Sequence, residues 1–281
     1  MKTIGFVDYY IDEWHANNYP AWIDEVCKKL GKDYKVAYAW AEVDKSPEGG
    51  EPDTAAWCAK FGVQRCETLK ELCEKSDYIL VLAPSNPEKH LGYAEEVLKY
   101  GKRTYIDKTF APDFATAKKI FDLSEKYNAP FFSSSALRYA DELKDARAQS
   151  VMTTGGGRSL EEYIIHQTEM VVKLLGTGAA RARVDASGRQ YICRVEYADG
   201  RAASMVYADG LPFTVYTEQA DGGCAYLPIS SDFFKNLIAD IVNFYETGER
   251  SFCGKQTLEV MKVREAVICG KDKLGEWIDI G

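Results

Sequence analysis

The sequence has no apolar run approaching the ~20 residues that span a bilayer, so no transmembrane helix is expected. It has no basic excess either. Lys and Arg number 35 against 43 Asp and Glu, the net charge is −8 and the pI is near 5.1. The cations are scattered, which excludes nucleic acid and anionic membranes as partners. The eight cysteines (27, 58, 66, 73, 193, 224, 253, 269) form no C-x-x-C pair and no metal-ligand spacing. They read as free thiols of a reducing cytoplasm rather than a disulfide framework. Met1-Lys2-Thr3-Ile4-Gly5 runs straight into a strand, so no signal peptide is expected and the protein is placed in the cytoplasm. Internal repeats and low-complexity tracts are absent as well. What is present, 281 residues of which 46% are hydrophobic, suits two domains with a sizeable core.

The chain is organised around 77–108. The apolar run Tyr78-Ile79-Leu80-Val81-Leu82-Ala83 leads into a turn at Pro84-Ser85-Asn86-Pro87 and a helix closed by Gly101. Thr104-Tyr105-Ile106 is a second strand, ending in Asp107-Lys108-Thr109. Strands apolar on both faces belong to a covered parallel sheet, and such sheets bind ligands beyond the carboxyl ends of their strands. Asn86, His90 and Lys108 are expected at that edge. Around this unit lie strands at 2–7, 35–40 and 131–135. Helices follow Pro20, Pro112-Asp113 and the capping box Thr68-Leu69-Lys70-Glu71, with another over 54–61 and a loop over 46–53. The alternation predicts a Rossmann-like doubly wound parallel sheet over 1–135.

The pattern then changes. A helix is expected over 140–149, a short strand at 150–154, a flexible loop at Gly155-Gly156-Gly157 and a long helix over 160–175. Strand-like runs follow at 182–186, 190–197, 202–207, 213–219 and 224–228, with an Asp199-Gly200 hairpin, then helices over 233–247 and 257–269. The second domain, 136–281, is read as α+β on an open antiparallel sheet. A face of that size calls for homo-oligomerisation.

Three stretches, Pro84-Ser85-Asn86 with His90, Asp107-Lys108-Thr109, and Glu162-x-x-x-His166-x-x-Glu169 with Leu174-Leu175-Gly176, resemble the Gfo/Idh/MocA oxidoreductases (glucose-fructose oxidoreductase, inositol dehydrogenase and relatives). Pro84-Ser85-Asn86 and His90 are similar to the family's T-P-N-x-x-H, with two extra residues before the histidine. Asp107-Lys108-Thr109 stands where the family has E-K-P. Glu162-x-x-x-His166-x-x-Glu169 with Leu174-Leu175-Gly176 mirrors D-x-x-x-H-x-x-D…L-x-G. The resemblance covers nearly the whole chain. It implies a Rossmann half, an open-sheet half, and oxidation or reduction of a carbinol in a sugar, polyol or related small molecule with NAD or NADP. Hydride leaves such a carbon only as its hydroxyl proton is taken, which Lys108 and His166 can share, supported by Asp107 and Glu162. Glu162 and Glu169 share a helical face with His166, and a carboxylate there would orient the imidazole. The resemblance further implies cofactor contacts from Pro84, Ser85, Asn86 and His90 and a substrate contact from Glu169. From the residues themselves, Tyr9 and Tyr10 are candidates to stack on the cofactor's adenine or a sugar ring, or to pack as an aromatic lid. His15 is a candidate for a polyhydroxy or cationic substrate group, and Arg138 for a substrate anion, or for capping a helix.

One part of the pattern differs. After the first strand the family has G-x-G-x-x-G, and this chain has Asp8-Tyr9-Tyr10-Ile11-Asp12-Glu13. The glycines let backbone N–H groups reach a pyrophosphate, whereas carboxylates repel it. Trp40 stands where a ribose-holding acid should end the second strand. Three possibilities stay open: a nicotinamide held differently, a non-redox elimination or epimerisation by the same lysine and histidine, or a non-catalytic subunit that binds a ligand or partner. Asp8, Asp12, Glu13 and His15 could hold a divalent metal, but their spacing fits no ligand pattern and no metal is expected.

Overall fold

The computed structural model describes residues 1–50 and 52–281. Glu51, part of the loop expected at 46–53, lies outside the described residues. The chain divides into two compact units, one of 1–133 with 237–251 and one of 134–236 with 252–281.

The first unit holds β1 (Lys2–Asp8), α1 (Trp14–Leu30), β2 (Tyr34–Ala41), α2 (Thr54–Phe61), β3 (Gln64–Arg65), α3 (Leu69–Lys75) and β4 (Tyr78–Val81). It continues through α4 (His90–Val97), β5 (Thr104–Ile106), α5 (Phe114–Tyr127) and β6 (Phe131–Phe132). Its six strands run parallel in the order β3-β2-β1-β4-β5-β6. This is the doubly wound order expected from the alternation, and it reverses between β1 and β4. Ile4, Phe6, Val7 and 79–83 are fully buried, as central parallel strands require. The helix signals hold: the Thr68 hydroxyl accepts from Glu71 N at 3.1 Å, and the Asp113 carboxylate accepts from Thr116 N at 2.7 Å. Pro20 does not open its helix. The helix begins at Trp14, where His15 stacks on Tyr19 one turn on (5.1 Å, 11°), and the proline sits inside it.

The second unit carries β7 (Ser150–Gly155), α6 (Leu160–Leu175), β8 (Ala179–Ser187), β9 (Gln190–Tyr197), β10 (Ala202–Tyr207), β11 (Thr214–Glu218) and β12 (Cys224–Pro228). After α7 (Phe233–Thr247) come α8 (Gly254–Lys271) and β13 (Trp277–Asp279). The seven-stranded order is β12-β11-β7-β10-β9-β8-β13. Every pair is antiparallel except β7 with β10, so the open sheet is mixed. One face packs on α6 and α8. On the other, Met152 (44% exposed), Ile192 (42%) and Tyr226 (64%) are left uncovered within the unit.

Three further expectations are corrected. Residues 140–149 form only a 3-10 turn, Asp141–Leu143, because the Glu142 carboxylate is taken by Ser230 N (2.8 Å) and Ser231 N (2.9 Å). Residues 237–251 cluster with the first unit rather than with the rest of 136–281. Tyr245 stacks on Tyr78 (4.7 Å, 20°) and donates to Ile79 O at 2.8 Å, while Arg103 donates to Glu246 O at 2.9 Å. Gly155-Gly156-Gly157 is packed rather than flexible. A Cβ on Gly156 would lie 1.7 Å from Ala208 O, and on the other two 2.3 Å from the rings of Phe213 and Tyr163. The eight thiols are free, five of them buried. Among the described residues no helix is long and apolar enough to cross a membrane.

Candidate active site

The carboxyl edge of the first sheet is built from the segments that leave β1, β4 and β5. Asp8 ends β1, and one of its oxygens accepts from Tyr9 N (2.8 Å) and Ala83 N (3.0 Å), which ties β1 to β4 where the strand order reverses. Ala83 pays for this with φ 53°, a left-handed conformation that costs an L-residue roughly 1–2 kcal/mol. The other Asp8 oxygen has no partner among the described residues. Burial first, and the neighbouring Glu13 carboxyl second, push the Asp8 carboxyl well above the usual carboxylate range.

Asp107 comes directly after β5 and is 1% exposed. Its Oδ1 accepts from Lys108 N (2.8 Å) and from the Tyr105 hydroxyl (3.3 Å), and its Oδ2 meets Nδ1 of His15. Burial pushes this carboxyl up, but His15 and Lys108 outweigh it and hold it below its ordinary value. Lys108 is half-buried, its Nζ donates to Pro84 O at 3.3 Å, and its peptide bond to Thr109 is cis.

The remaining residues expected at this edge divide. Pro84 is buried, Ser85 is exposed, and Asn86 donates to Glu88 Oε1 at 2.9 Å. Tyr9 is half-buried beneath the Lys89 ammonium (4.6 Å), and the Tyr10 hydroxyl is pushed up to about 12 by burial and by Glu13. His90, expected to touch a cofactor, is fully buried, with its ring nitrogens 3.0 Å from Phe110 O and 2.7 Å from Leu82 O. It clamps two loops together and presents no atom to a ligand. His15, expected to touch substrate, is buried against Asp107 instead. Asp12 accepts from Asn17 at 2.8 Å, and no metal-binding group of acids, histidines and cysteines occurs among the described residues. One carboxylate was not anticipated. β2 runs to Ala41, so Glu42 comes directly after it, held by Lys89 (2.5 Å) and the Tyr93 hydroxyl (2.6 Å).

Sheets of this order hold the pyrophosphate of a dinucleotide on a glycine-rich turn between the first strand and helix. The residues here do not fit that role. The turn has no glycine, Ile11 is 1% exposed within it, and buried Asp8 and Glu13 stand where phosphate charge would have to come. NAD(P) is therefore given no cradle by this turn.

In the second unit His166 lies on α6, half-buried. Its Nδ1 is 2.7 Å from the Ser135 hydroxyl, and its ring meets Phe213 edge-on (5.7 Å, 71°). The expected Glu162 support is absent: both Glu162 oxygens are taken by Arg158, at 3.0 and 2.6 Å. Arg138 and Glu169, both expected at substrate, are buried and ion-paired with each other. Arg138 also donates to Gln256 (2.7 Å) and stacks on Phe252 (4.1 Å), and Ser134 donates to Glu169 at 3.2 Å. Two opposite charges out of water hold each other, because either one alone would be costly to bury. Ser135 and Lys173 were not anticipated. Lys173 donates to Arg138 O at 2.6 Å, and burial together with the Arg138 charge holds its ammonium below the usual lysine value. A cleft of about 150 Å³ opens among Arg158, Leu160, Arg189, Tyr191, Tyr207 and Lys271, and it includes none of the expected site residues.

No family model matches the sequence, and no curated protein matches it. Solved structures do. A probable dehydrogenase from Thermotoga maritima superposes with a TM-score of 0.80 at 10% identity, covering 99% of this chain and 98% of its own. The myo-inositol dehydrogenase from Lactobacillus casei, in complex with NAD(H) and myo-inositol, gives 0.80 at 11%, covering 100% and 97%. The UDP-N-acetylglucosamine 3-dehydrogenase from Acidithiobacillus ferrooxidans gives 0.74 at 12%, covering 96% and 98%. This chain shares their fold from end to end.

Proposed function

We propose that this chain is an oxidoreductase of the Gfo/Idh/MocA type that acts on a sugar, a polyol or a related small molecule, with Lys108 and His166 as its acid/base residues. The observation that carries it is the placement of Lys108. Its amine lies just past β5 at the carboxyl edge of a doubly wound sheet, makes no ion pair among the described residues, and belongs to a fold shared in full with polyol and sugar dehydrogenases. The amine can polarise a substrate oxygen as the imidazole exchanges its proton, and Ser135 fixes the imidazole ring at Nδ1. NAD or NADP is the hydride partner that the fold likeness supports. No residue is assigned to its pyrophosphate, because the turn after β1 does not supply the cradle.

A second reading, a non-redox elimination or epimerisation by the same lysine and histidine, is favoured by that one feature, the carboxyl-filled turn. The two part in one experiment. Keto- and hydroxy-sugars and polyols are screened with NADH, NADPH and their oxidised forms, alongside a screen without nucleotide. Nucleotide-dependent turnover that falls at least about a hundredfold in Lys108→Ala supports the first reading. Turnover without nucleotide supports the second. Full activity in Lys108→Ala refutes both. The uncovered face of the second sheet, with Met152, Ile192 and Tyr226, supports homo-oligomerisation through that face.

A further inference from the structure

An ionised carboxylate and an amine sit on adjacent residues, Asp107 and Lys108, yet they do not pair. The Lys108 Nζ rests on the Pro84 carbonyl at 3.3 Å, long for an ammonium donor. The cause lies in how the two oxygens of Asp107 are used. Oδ1 is taken by the Lys108 backbone N–H and the Tyr105 hydroxyl. Oδ2 is taken by His15, which arrives from the first turn of α1, 92 residues away in sequence. That imidazole is held in place. Its face lies flat on Tyr19, its edge meets Trp14 (5.4 Å, 62°), and its side chain is 9% exposed. Asp8 and His90 are also electrostatic neighbours of Asp107, but Asp8 is an acid and both His90 ring nitrogens face backbone carbonyls, so His15 and Lys108 are the donors that contend for its oxygens.

We propose that His15 is a positioning residue for Lys108 and acts through Asp107. By occupying Oδ2 it leaves the carboxylate to anchor the lysine backbone and keeps the side-chain amine out of an internal ion pair, so that the amine is offered to a substrate oxygen. This rests on Lys108 being the acid/base residue, but its test needs no turnover.

The test is amidination of the full-length protein with methyl acetimidate, followed residue by residue by mass spectrometry, with the exposed Lys28 and Lys119 as internal references. In His15→Ala the freed oxygen captures the amine, and Lys108 modification slows at least about fivefold against the references. His15→Gln, whose amide N–H can still donate to the carboxylate, stays within about twofold of the parent. The double variant His15→Ala/Asp107→Asn, with no anion to capture the amine, recovers the parent rate. An unchanged rate in His15→Ala overturns the proposal. So does a double variant as slow as the single one, since the loss would then be a collapse of the edge. Should His15→Ala fail to fold by circular dichroism, Asp107→Asn alone decides: slower modification of Lys108 in that variant overturns the proposal, and an equal or faster rate supports it. Fivefold slowing without any sugar or polyol turnover leaves His15 in this role and removes the oxidoreductase reading.

Discussion

Replacing the three glycines at 155–157 one at a time by alanine separates two opposite views of that stretch. In a flexible loop each alanine would stabilise slightly, by about 0.4–1 kcal/mol, because it narrows the unfolded ensemble. The contacts predict the reverse. A Cβ on Gly156 would lie 1.7 Å from Ala208 O and 2.6 Å from Ala208 C, and a backbone carbonyl cannot rotate away. One of two chain segments must shift, at the upper end of overpacking costs, about 3 kcal/mol. The clashes at Gly155 and Gly157 are with the rings of Phe213 and Tyr163, which can turn, so about 1–2 kcal/mol is expected for each. At roughly 2–4 °C per kcal/mol, Gly156→Ala should lower the melting transition of the second unit by about 6–12 °C. Gly155→Ala should also disturb His166, because the displaced Phe213 ring is the one lying edge-on to it. Differential scanning calorimetry reads the first effect, and turnover relative to Gly157→Ala reads the second. Three variants with unchanged or raised melting temperatures would refute the packing argument.

The second unit yields two further outcomes. Burial pushes the Glu142 carboxyl up, but donors from Ser230 and Ser231 outweigh it and hold it at about 2, below its ordinary 4.5. A depressed acid contributes stability that is full above pH 4.5 and is lost as the pH falls toward 2, so Glu142→Gln should flatten the acid limb of a urea-denaturation pH profile; an identical limb in the variant would count against the assignment. On the proposal that the uncovered sheet face joins copies of this chain, Met152→Lys with Tyr226→Lys should give a monomer by light scattering where the parent gives a larger species, and a monomeric parent protein would refute it.

The fold was legible where periodicity and punctuation agreed. The parallel core of 78–106, the helix at 160–175 with Gly176 behind it, and the strands at 190–197 and 202–207 around Asp199-Gly200 each carry both signals. Short strands completed by their neighbours were not legible. Gln64–Arg65 and Trp277–Asp279 have no alternation to read and exist because β2 and β8 offer free edges. The apolar stripe of α7 was plain in the sequence, but a stripe does not name its partner, and its C-terminal part buried Phe244 and Tyr245 in the first unit.

The expected site shows a related limit. Helical spacing sets Glu162 one turn from His166, but Arg158 stands at the same spacing on the other side. Between a guanidinium and an imidazole, a carboxylate takes the two-pronged charged donor. The histidine then turns to Ser135, 31 residues earlier. Arg138 and Glu169 could each be read as awaiting an anion or a hydroxyl, but burial makes them partners. Asp107 and His15 are brought together by the placement of α1 and β5 about the sheet, which no local pattern encodes. In each case a charge that looked available for a ligand is used by the protein itself. The amine of Lys108 is the exception, beside a carboxylate that is already occupied. An amine without an ion pair at the carboxyl edge of a doubly wound sheet is the group the proposed chemistry rests on, while the glycine-free turn with its buried Asp8 and Glu13 carboxyls offers no backbone cradle of the ordinary kind.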